Sequence, residues 1–340
     1  VGVVQGGIVV YARGFGRASI EIGNAIGPGT IFRIGSVSKQ FTAMCVAILA
    51  HRGEIDLDAD IRTYLGDFLP LDTPVTVRHL LHHTSGLREY MALADLSGLD
   101  PENAYSPEET RRMLARQKGL VFAPGDRYRY TNSNYFLLGE IVREVAGMSL
   151  KRFARENLFK PLRMESTHFH DRHDHVVEGR AFGYSPAGKK KWSLDITTLD
   201  HVGDGGVFTN THDLSRWMAN LQDNALEGGA DLVAQMEASG VLNDGSATNY
   251  GFGLYKEQWR GQKVVGHGGA WVGYLASTIR FPEHDTSVLV MANSSGFPIE
   301  KTAFDVAAVV LDGLLEPETG EEVTPKDHSD AEGEAGGGRS

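Results

Sequence analysis

The spacing of apolar residues changes along the chain, and each change marks a different kind of structure. The first thirty-five residues are strand-like: "VGVV" and "IVVYARGFG" flank the turn "QGG", a hairpin signal, and "TIFRIG" follows. Then the period lengthens. Phe41, Met44, Cys45, Ile48 and Leu49 fall at i, i+3, i+4, i+7 and i+8, which predicts a helix with one apolar face, ended by Gly53. Between 54 and 200, "PVTVRHLLHHTSGL", "SPEETRRMLARQ", "NSNYFLLGEIVREVAG" and "SLKRFARENLFKPL" show helical periodicity, capping residues and short loops. In the third of these, Tyr135, Leu138, Ile141 and Val142 keep one face, ended near Gly147. From about 205 the pattern mixes again. "THDLSRWMANLQ" reads as a helix, and "NYGFGLYKEQW", "QKVVGHGG", "YLASTIRFP" and "TSVLVMANS" as strands separated by turns. "EKTAFDVAAVVLDGLL" closes as a helix.

Strands at both ends with helices between predict an α+β fold. Its antiparallel sheet is built from N- and C-terminal segments, flanked by helices, with an inserted mostly helical lobe. The expected extents are one domain over 1–315, with a sheet lobe at about 1–55 and 205–315 and a helical lobe at about 56–204. No internal repeat is visible.

Composition narrows the class. At 340 residues, 41% hydrophobic and 23% charged, the chain can bury a full core as a globular protein. A net charge of -11 argues against nucleic acid or an anionic membrane as partner, since both are bound through basic patches. Much of that acidity lies in 316–340, "EPETGEEVTPKDHSDAEGEAGGGRS", where Val323 is the sole large hydrophobe, so this tail is expected to be disordered. No apolar run approaches the ~18 residues of a membrane span; the longest is "AMCVAILA". The single Cys45 lies on the apolar helix face, which predicts neither an internal disulfide nor a cysteine metal site. The opening "VGVVQGG" has no methionine or signal-like segment and reads as already trimmed; nothing here sets a compartment or an oligomeric state.

Candidate chemistry begins at "FRIGSVSKQF". Serine is a common helix opener, so Ser36 or Ser38 could be a plain N-cap. A lysine in the first turn is odder, because it faces the positive end of the helix dipole. Ser36 and Lys39 are three apart, which puts them on one helix face about 5–6 Å apart at Cβ. An amine there can take the hydroxyl proton if desolvation or neighbouring cations lower its pKa. Backbone N–H groups at the helix start are free to hold an anion. Alone, S-x-x-K is frequent by chance. Two later stretches raise its weight: "PGDRYRYTNSNYFLLGEIV" carries Tyr130-Thr131-Asn132 just before a helix, and "VVGHGGAWVGYLAS" carries His267-Gly268-Gly269 at the end of a predicted strand, with Tyr274 beyond.

S-x-x-K, then Y-x-N, then [KH]-x-G, in that order and at these spacings, resembles the serine β-lactamase and penicillin-binding-protein superfamily. The likeness is closer to its class C-like branch of β-lactamase-related esterases, D-aminopeptidases and D-Ala-D-Ala carboxypeptidases. It runs from Val3 to about Leu315 and takes in "TVRHLLHHTSGL", "FAPGDRYRYTNSNYFLLGEIV" and "GDGGVFTNTHDLSRW".

The resemblance implies a β-lactamase/transpeptidase-like α+β domain and a periplasmic or secreted location. It implies that Ser36 is acylated, that Lys39 shares its proton, and that Tyr130 acts with Lys39 as general base and then as acid toward the leaving group. Asn132 would bond Lys39 or the substrate amide, and His267 would sit against the Tyr130 hydroxyl. The N–H groups of Ser36 and Ala270 would form an oxyanion hole, with Gly268 and Gly269 letting substrate lie along the strand. No cofactor or metal is implied, and the partner is a small ester, amide or peptide.

Two departures bear on substrate. His267-Gly268-Gly269 stands where β-lactamases usually have Lys-Thr-Gly, and no E-x-x-L-N loop is recognisable. Small esters or D-amino-acid amides and peptides therefore fit better than β-lactams. A β-lactamase or D-Ala-D-Ala carboxypeptidase is the alternative, and a penicillin-binding sensor that is acylated without turnover is a further one.

Other signals are discounted. "HFHDRHDH" puts His168, His170, His173 and His175 within eight residues and suggests zinc, which Ser–Lys chemistry does not need. "GHGGA" has a lipase flavour, but no G-x-S-x-G pentapeptide accompanies it. His82 and His83 read as ordering a loop, and "GKKKW" as a solvated turn.

Overall fold

The computed structural model describes residues 1–100 and 105–317. Its strands, in chain order, are β1 (Gly2–Gln5), β2 (Ile8–Ala12), β3 (Phe32–Arg33), β4 (His168–Phe169), β5 (Gly183–Pro186), β6 (Trp192–Asp195), β7 (Val207–Thr209), β8 (Tyr255–Trp259), β9 (Gln262–Trp271), β10 (Tyr274–Phe281) and β11 (Thr286–Ala292). The α-helices are α1 (Lys39–His51), α2 (Arg62–Leu65), α3 (Val77–Leu81), α4 (Tyr90–Leu96), α5 (Pro107–Ala115), α6 (Asn132–Ala146), α7 (Leu150–Ala154), α8 (Thr211–Asn220), α9 (Gly229–Glu237) and α10 (Ile299–Val310). Apart from Glu316 and Pro317, the tail expected to be disordered lies outside the described residues.

The main sheet is antiparallel and runs β2-β1-β11-β10-β9-β8, so its middle is made where the two ends of the chain meet. Successive strand residues go to opposite faces. Val3, Val264, Leu275 and Val288 join one core, while their neighbours Val4, Val265, Ala276 and Leu289 join the other. The first face is covered by α10, whose Ile299, Ala303, Phe304 and Ala307 recur at helical spacing. The second belongs to the large core around α1. Two smaller sheets, β3-β7-β4 and β5-β6, complete the strands.

Helix α1 departs from the single apolar face its spacing predicts. Every residue from Lys39 to Leu49 is buried, because α6, α7 and α9 all pack on it. Its polar residues find partners inside. Gln40 donates through Nε2 to Thr278 Oγ1 at 3.1 Å and accepts from Trp217 Nε1 at 2.9 Å. Thr42 donates to the Gly203 carbonyl at 2.7 Å. Buried and bonded, these groups cost little.

Other departures are local. "TIFRIG" supplies only the two residues of β3, paired to β7, because Ile34 hands over to a 3-10 turn at Gly35–Ser38. The stretch read as mostly helical also holds β4, β5 and β6, which are too short to show a period of two. Helix α9 has Gly228 as its N-cap and Gly229 as its first residue, and those two breakers hid it.

Phe41 is wedged between Phe159, with ring centroids 5.4 Å apart, and Trp217, at 4.5 Å. Phe41→Ala is expected to lower the unfolding free energy by about 3–5 kcal/mol. A guanidinium titration should show a lower midpoint with an unchanged slope.

Candidate active site

Ser36 lies in the 3-10 turn that feeds α1, and Lys39 is the first residue of the helix itself. Ser38 makes no side-chain cap; its hydroxyl accepts the Val207 N–H at 3.0 Å and ties β7 to the turn. Directly behind the turn runs β9. A Cβ on Gly269 would come within 2.1 Å of the Ile34 carbonyl oxygen and 3.0 Å of the Ser36 nitrogen. Gly35 has a left-handed φ of +49°, and a Cβ there would stand 2.7 Å from the Ala270 nitrogen. Glycine at both positions lets the two backbones touch. Ser36 and Ala270 thereby share one pocket wall.

Lys39 is fully buried and donates to Ser36 Oγ, Asn132 Oδ1 and the Asp204 carbonyl, each at 2.7 Å. Asn132 Oδ1 and a backbone carbonyl can only accept, so they fix two N–H bonds of the amine. The direction toward Ser36 is then set. In a neutral amine that position is the lone pair. On the other side, the Tyr130 hydroxyl donates to Ser36 Oγ at 2.9 Å, and Lys39 Nζ stands 4.8 Å from the Tyr130 ring centroid. Ser36, Lys39, Tyr130 and Asn132 are thus one hydrogen-bonded group. The backbone N–H of Asn132, at the start of α6, donates to Glu89 Oε2 at 2.6 Å. Burial raises the Glu89 pKa, and that N–H bond opposes it.

His83 lies under Tyr130, with ring centroids 4.3 Å apart, and its φ is +56°. Its Nδ1 accepts from Asn134 Nδ2 at 3.0 Å. Burial, reinforced by the charge of Lys39, holds its pKa well below the ordinary imidazole value. His82 Nδ1 sits 3.0 Å from the Tyr250 carbonyl, and burial lowers its pKa to about 4.

His267 is buried on β9. Its Nε2 lies 3.0 Å from the Tyr250 hydroxyl, its Nδ1 is hydrogen-bonded at the Gly268 carbonyl, and its ring centroid is 6.2 Å from that of Tyr130. Tyr250 was not anticipated from sequence, although the aromatic run "NYGFGLY" carries it. Burial pushes the Tyr250 phenol well above its ordinary pKa, so it stays neutral.

A pocket of about 250 Å³ opens beside Ser36. Arg33, Tyr90, His201, Asp204, Ala270 and Trp271 are among its walls. Tyr90 donates its hydroxyl to Asp204 Oδ2 at 2.7 Å, while among the described residues Asp204 Oδ1 has no hydrogen-bond partner. Sequence reasoning missed Arg33, Tyr90 and Asp204, each of which sits within five residues of a quoted motif. The histidine run lies elsewhere: the His168 and His170 rings are 5.6 Å apart, and His173 Nδ1 is 2.9 Å from Asp200. Among the described residues, no three His, Cys, Asp or Glu side chains are placed to hold a metal ion. No helix among them is long and apolar enough to cross a membrane.

A family model described as Beta-lactamase matches residues 1–312. A D-aminopeptidase of Brucella anthropi is 31% identical over 324 residues, covering 95% of this chain and 60% of the relative. The chain spans about 60% of the length of the curated relatives it matches. Among solved structures, the octameric penicillin-binding protein homologue from Pyrococcus abyssi has a TM-score of 0.79 at 30% identity, covering 91% of this chain and 72% of that one. The penicillin binding protein from Bacillus halodurans has a TM-score of 0.76 at 24% identity, with 91% and 93% covered.

Burial also lowers the His201 pKa to about 4. An unfolded imidazole takes its proton near its ordinary 6.5, whereas folded His82 and His201 resist until about 4. The unfolded state then binds more protons, so stability is full above 6.5 and is lost as pH falls toward 4. Each histidine contributes a slope of up to about 1.4 kcal/mol per pH unit in that window. Scanning calorimetry from pH 7.5 to 4.5 should show Tm falling below 6.5, with a shallower fall in His82→Gln. A flat Tm across that range would mean the folded protein accepts these protons.

Proposed function

The chain belongs to the beta-lactamase family, and from that premise we propose a serine hydrolase that forms an acyl-enzyme on Ser36 and cleaves amides or short peptides of D-amino acids. The observation that carries this reading is the Ser36 hydroxyl held 2.7 Å from Lys39 Nζ and 2.9 Å from the Tyr130 hydroxyl. As Ser36 Oγ attacks the carbonyl carbon, its proton passes to Lys39. The carbonyl oxygen gains negative charge between the N–H groups of Ser36 and Ala270. Tyr130 gives its proton to the departing amine nitrogen and regains one from Lys39, so the protons balance. Water then attacks the ester with Tyr130 and Lys39 acting in reverse.

His267 would act through Tyr250 and the β9 backbone, keeping the wall behind Tyr130 rigid. The likeness to a D-aminopeptidase over most of this chain supports the D-amino-acid substrate. Small esters, which carry a better leaving group, would react at the same centre and serve as reporters. β-Lactams fit less well, since His267-Gly268-Gly269 offers no threonine hydroxyl for their carboxylate and His267 Nε2 is engaged by Tyr250.

Ser36→Ala is expected to reduce turnover of a chromogenic ester and of D-alanyl p-nitroanilide by on the order of 10⁶-fold, with the fold unchanged. Tyr130→Phe should cost about 10²–10⁴-fold. Intact-mass spectrometry with a slow acylating inhibitor should give one adduct on the native chain and none on Ser36→Ala. An adduct on the alanine variant sinks the nucleophile assignment. One stoichiometric burst without steady turnover would make the protein a sensor instead.

A further inference from the structure

Arg33 is 5% exposed and lines the pocket beside Ser36. Its guanidinium lies 5.5 Å from the Trp271 ring centroid, and among the described residues its Nε has no hydrogen-bond partner. Among the described residues, it forms no ion pair within 4.0 Å. A second guanidinium stands close by. Arg180 is half-buried, donates through Nε to the Tyr274 hydroxyl at 3.1 Å, and likewise forms no ion pair within 4.0 Å. Burial, and then Arg180, pull the Arg33 pKa down to about 10, which leaves it charged at neutral pH. The Asp204 carboxylate favours the Arg33 charge without forming an ion pair with it, and a buried charge compensated only in part is costly. A guanidinium fork in this setting complements a carboxylate on whatever enters the pocket.

The part of the substrate that enters follows from the layout. Asn132 and Ala270 line the pocket and Tyr130 does not, so the pocket lies away from the group that protonates the leaving amine. It therefore receives the acyl half. Its volume of about 250 Å³ suits one residue and not a long acyl chain. Asp204 lines the same pocket, is 5% exposed and is held by Tyr90 through Oδ2, and its charge favours that of Arg33; among the described residues its shielded Oδ1 has no hydrogen-bond partner.

We propose that the residue whose carbonyl is attacked is an acidic D-amino acid, its side-chain carboxylate bound by Arg33. The inference rests on the hydrolase reading above and names its substrate class.

The test uses the full chain and the α-p-nitroanilides of D-glutamate, D-glutamine, D-aspartate, D-asparagine and D-alanine. In at least one acid–amide pair the acid should be favoured roughly ten- to a hundredfold in kcat/KM at neutral pH. Arg33→Gln should bring that ratio to about one, and Arg33→Lys should keep part of it. The ratio is read within each variant, so a general loss of activity does not imitate the result. Calorimetry of the native chain with free D-glutamate and D-glutamine, independent of turnover and of variant folding, should show the acid bound about tenfold more tightly. Equal kcat/KM and equal binding for acid and amide, or a preference that survives in Arg33→Gln, overturns the proposal. Cleavage of the D-alanyl anilide reports on the hydrolase reading alone. Tight D-glutamate binding with no anilide cleaved would keep the subsite and remove that reading.

Discussion

Strand β9 lies so close to the turn carrying Ser36 that no side chain fits between them, and the rest of the site is arranged around that contact. The Ile34 carbonyl would meet any Cβ on Gly269, and the Ala270 nitrogen any Cβ on Gly35. Two backbones in direct contact have few ways to shift. The position of Ser36 is thereby set by main chain on one side and, on the other, by a helix buried from Lys39 to Leu49. Groups mounted on such elements keep their geometry better than groups on loops. Lys39, as the first residue of that helix, inherits the same rigidity, and three acceptors hold its amine.

Around Tyr130 the protein gathers imidazoles and phenols that burial keeps neutral. His82 and His83 are held below their ordinary pKa values, and Tyr135 and Tyr250 above theirs. These rings supply hydrogen bonds and packing without adding charge. Ionisable groups are found instead at Lys39, beside Ser36, and in the pocket, where Arg33 and Asp204 share walls with Ser36.

How much of this was legible in sequence depended on how far apart the partners are. Ser36 and Lys39 are three residues apart, so their meeting needed only local geometry. The N-terminal hairpin, α6 with its end at Gly147, and the run β9 to β11 each rest on short-range spacing and turn chemistry, and they stand where the pattern put them. The all-round burial of α1 was not legible, since the partners of Gln40 and Thr42 come from residues 203, 217 and 278. The Tyr250 partner of His267 is just seventeen positions away, but it lies before β8, and no periodicity announces which way a hydroxyl points. Arg33 illustrates another gap. Its significance comes from groups that do not pair with it, and a linear pattern carries no record of that.

The order of the main sheet bears on how the chain is made. Strand β1 sits between β2 and β11, with Gly2 opposite Leu289. During synthesis from the N-terminus, the first hairpin emerges without the strand that will seat it. Val3 and Val4, which end in opposite cores, have a sheet partner on one side alone, β2, until residues 286–292 leave the ribosome. Long-range pairing of this kind closes slowly because most of the chain must be ordered first. The helices around α6 can gather earlier, from contacts near in sequence, while the sheet waits. The residues of β1, made long before β11, are among the last to find all their neighbours.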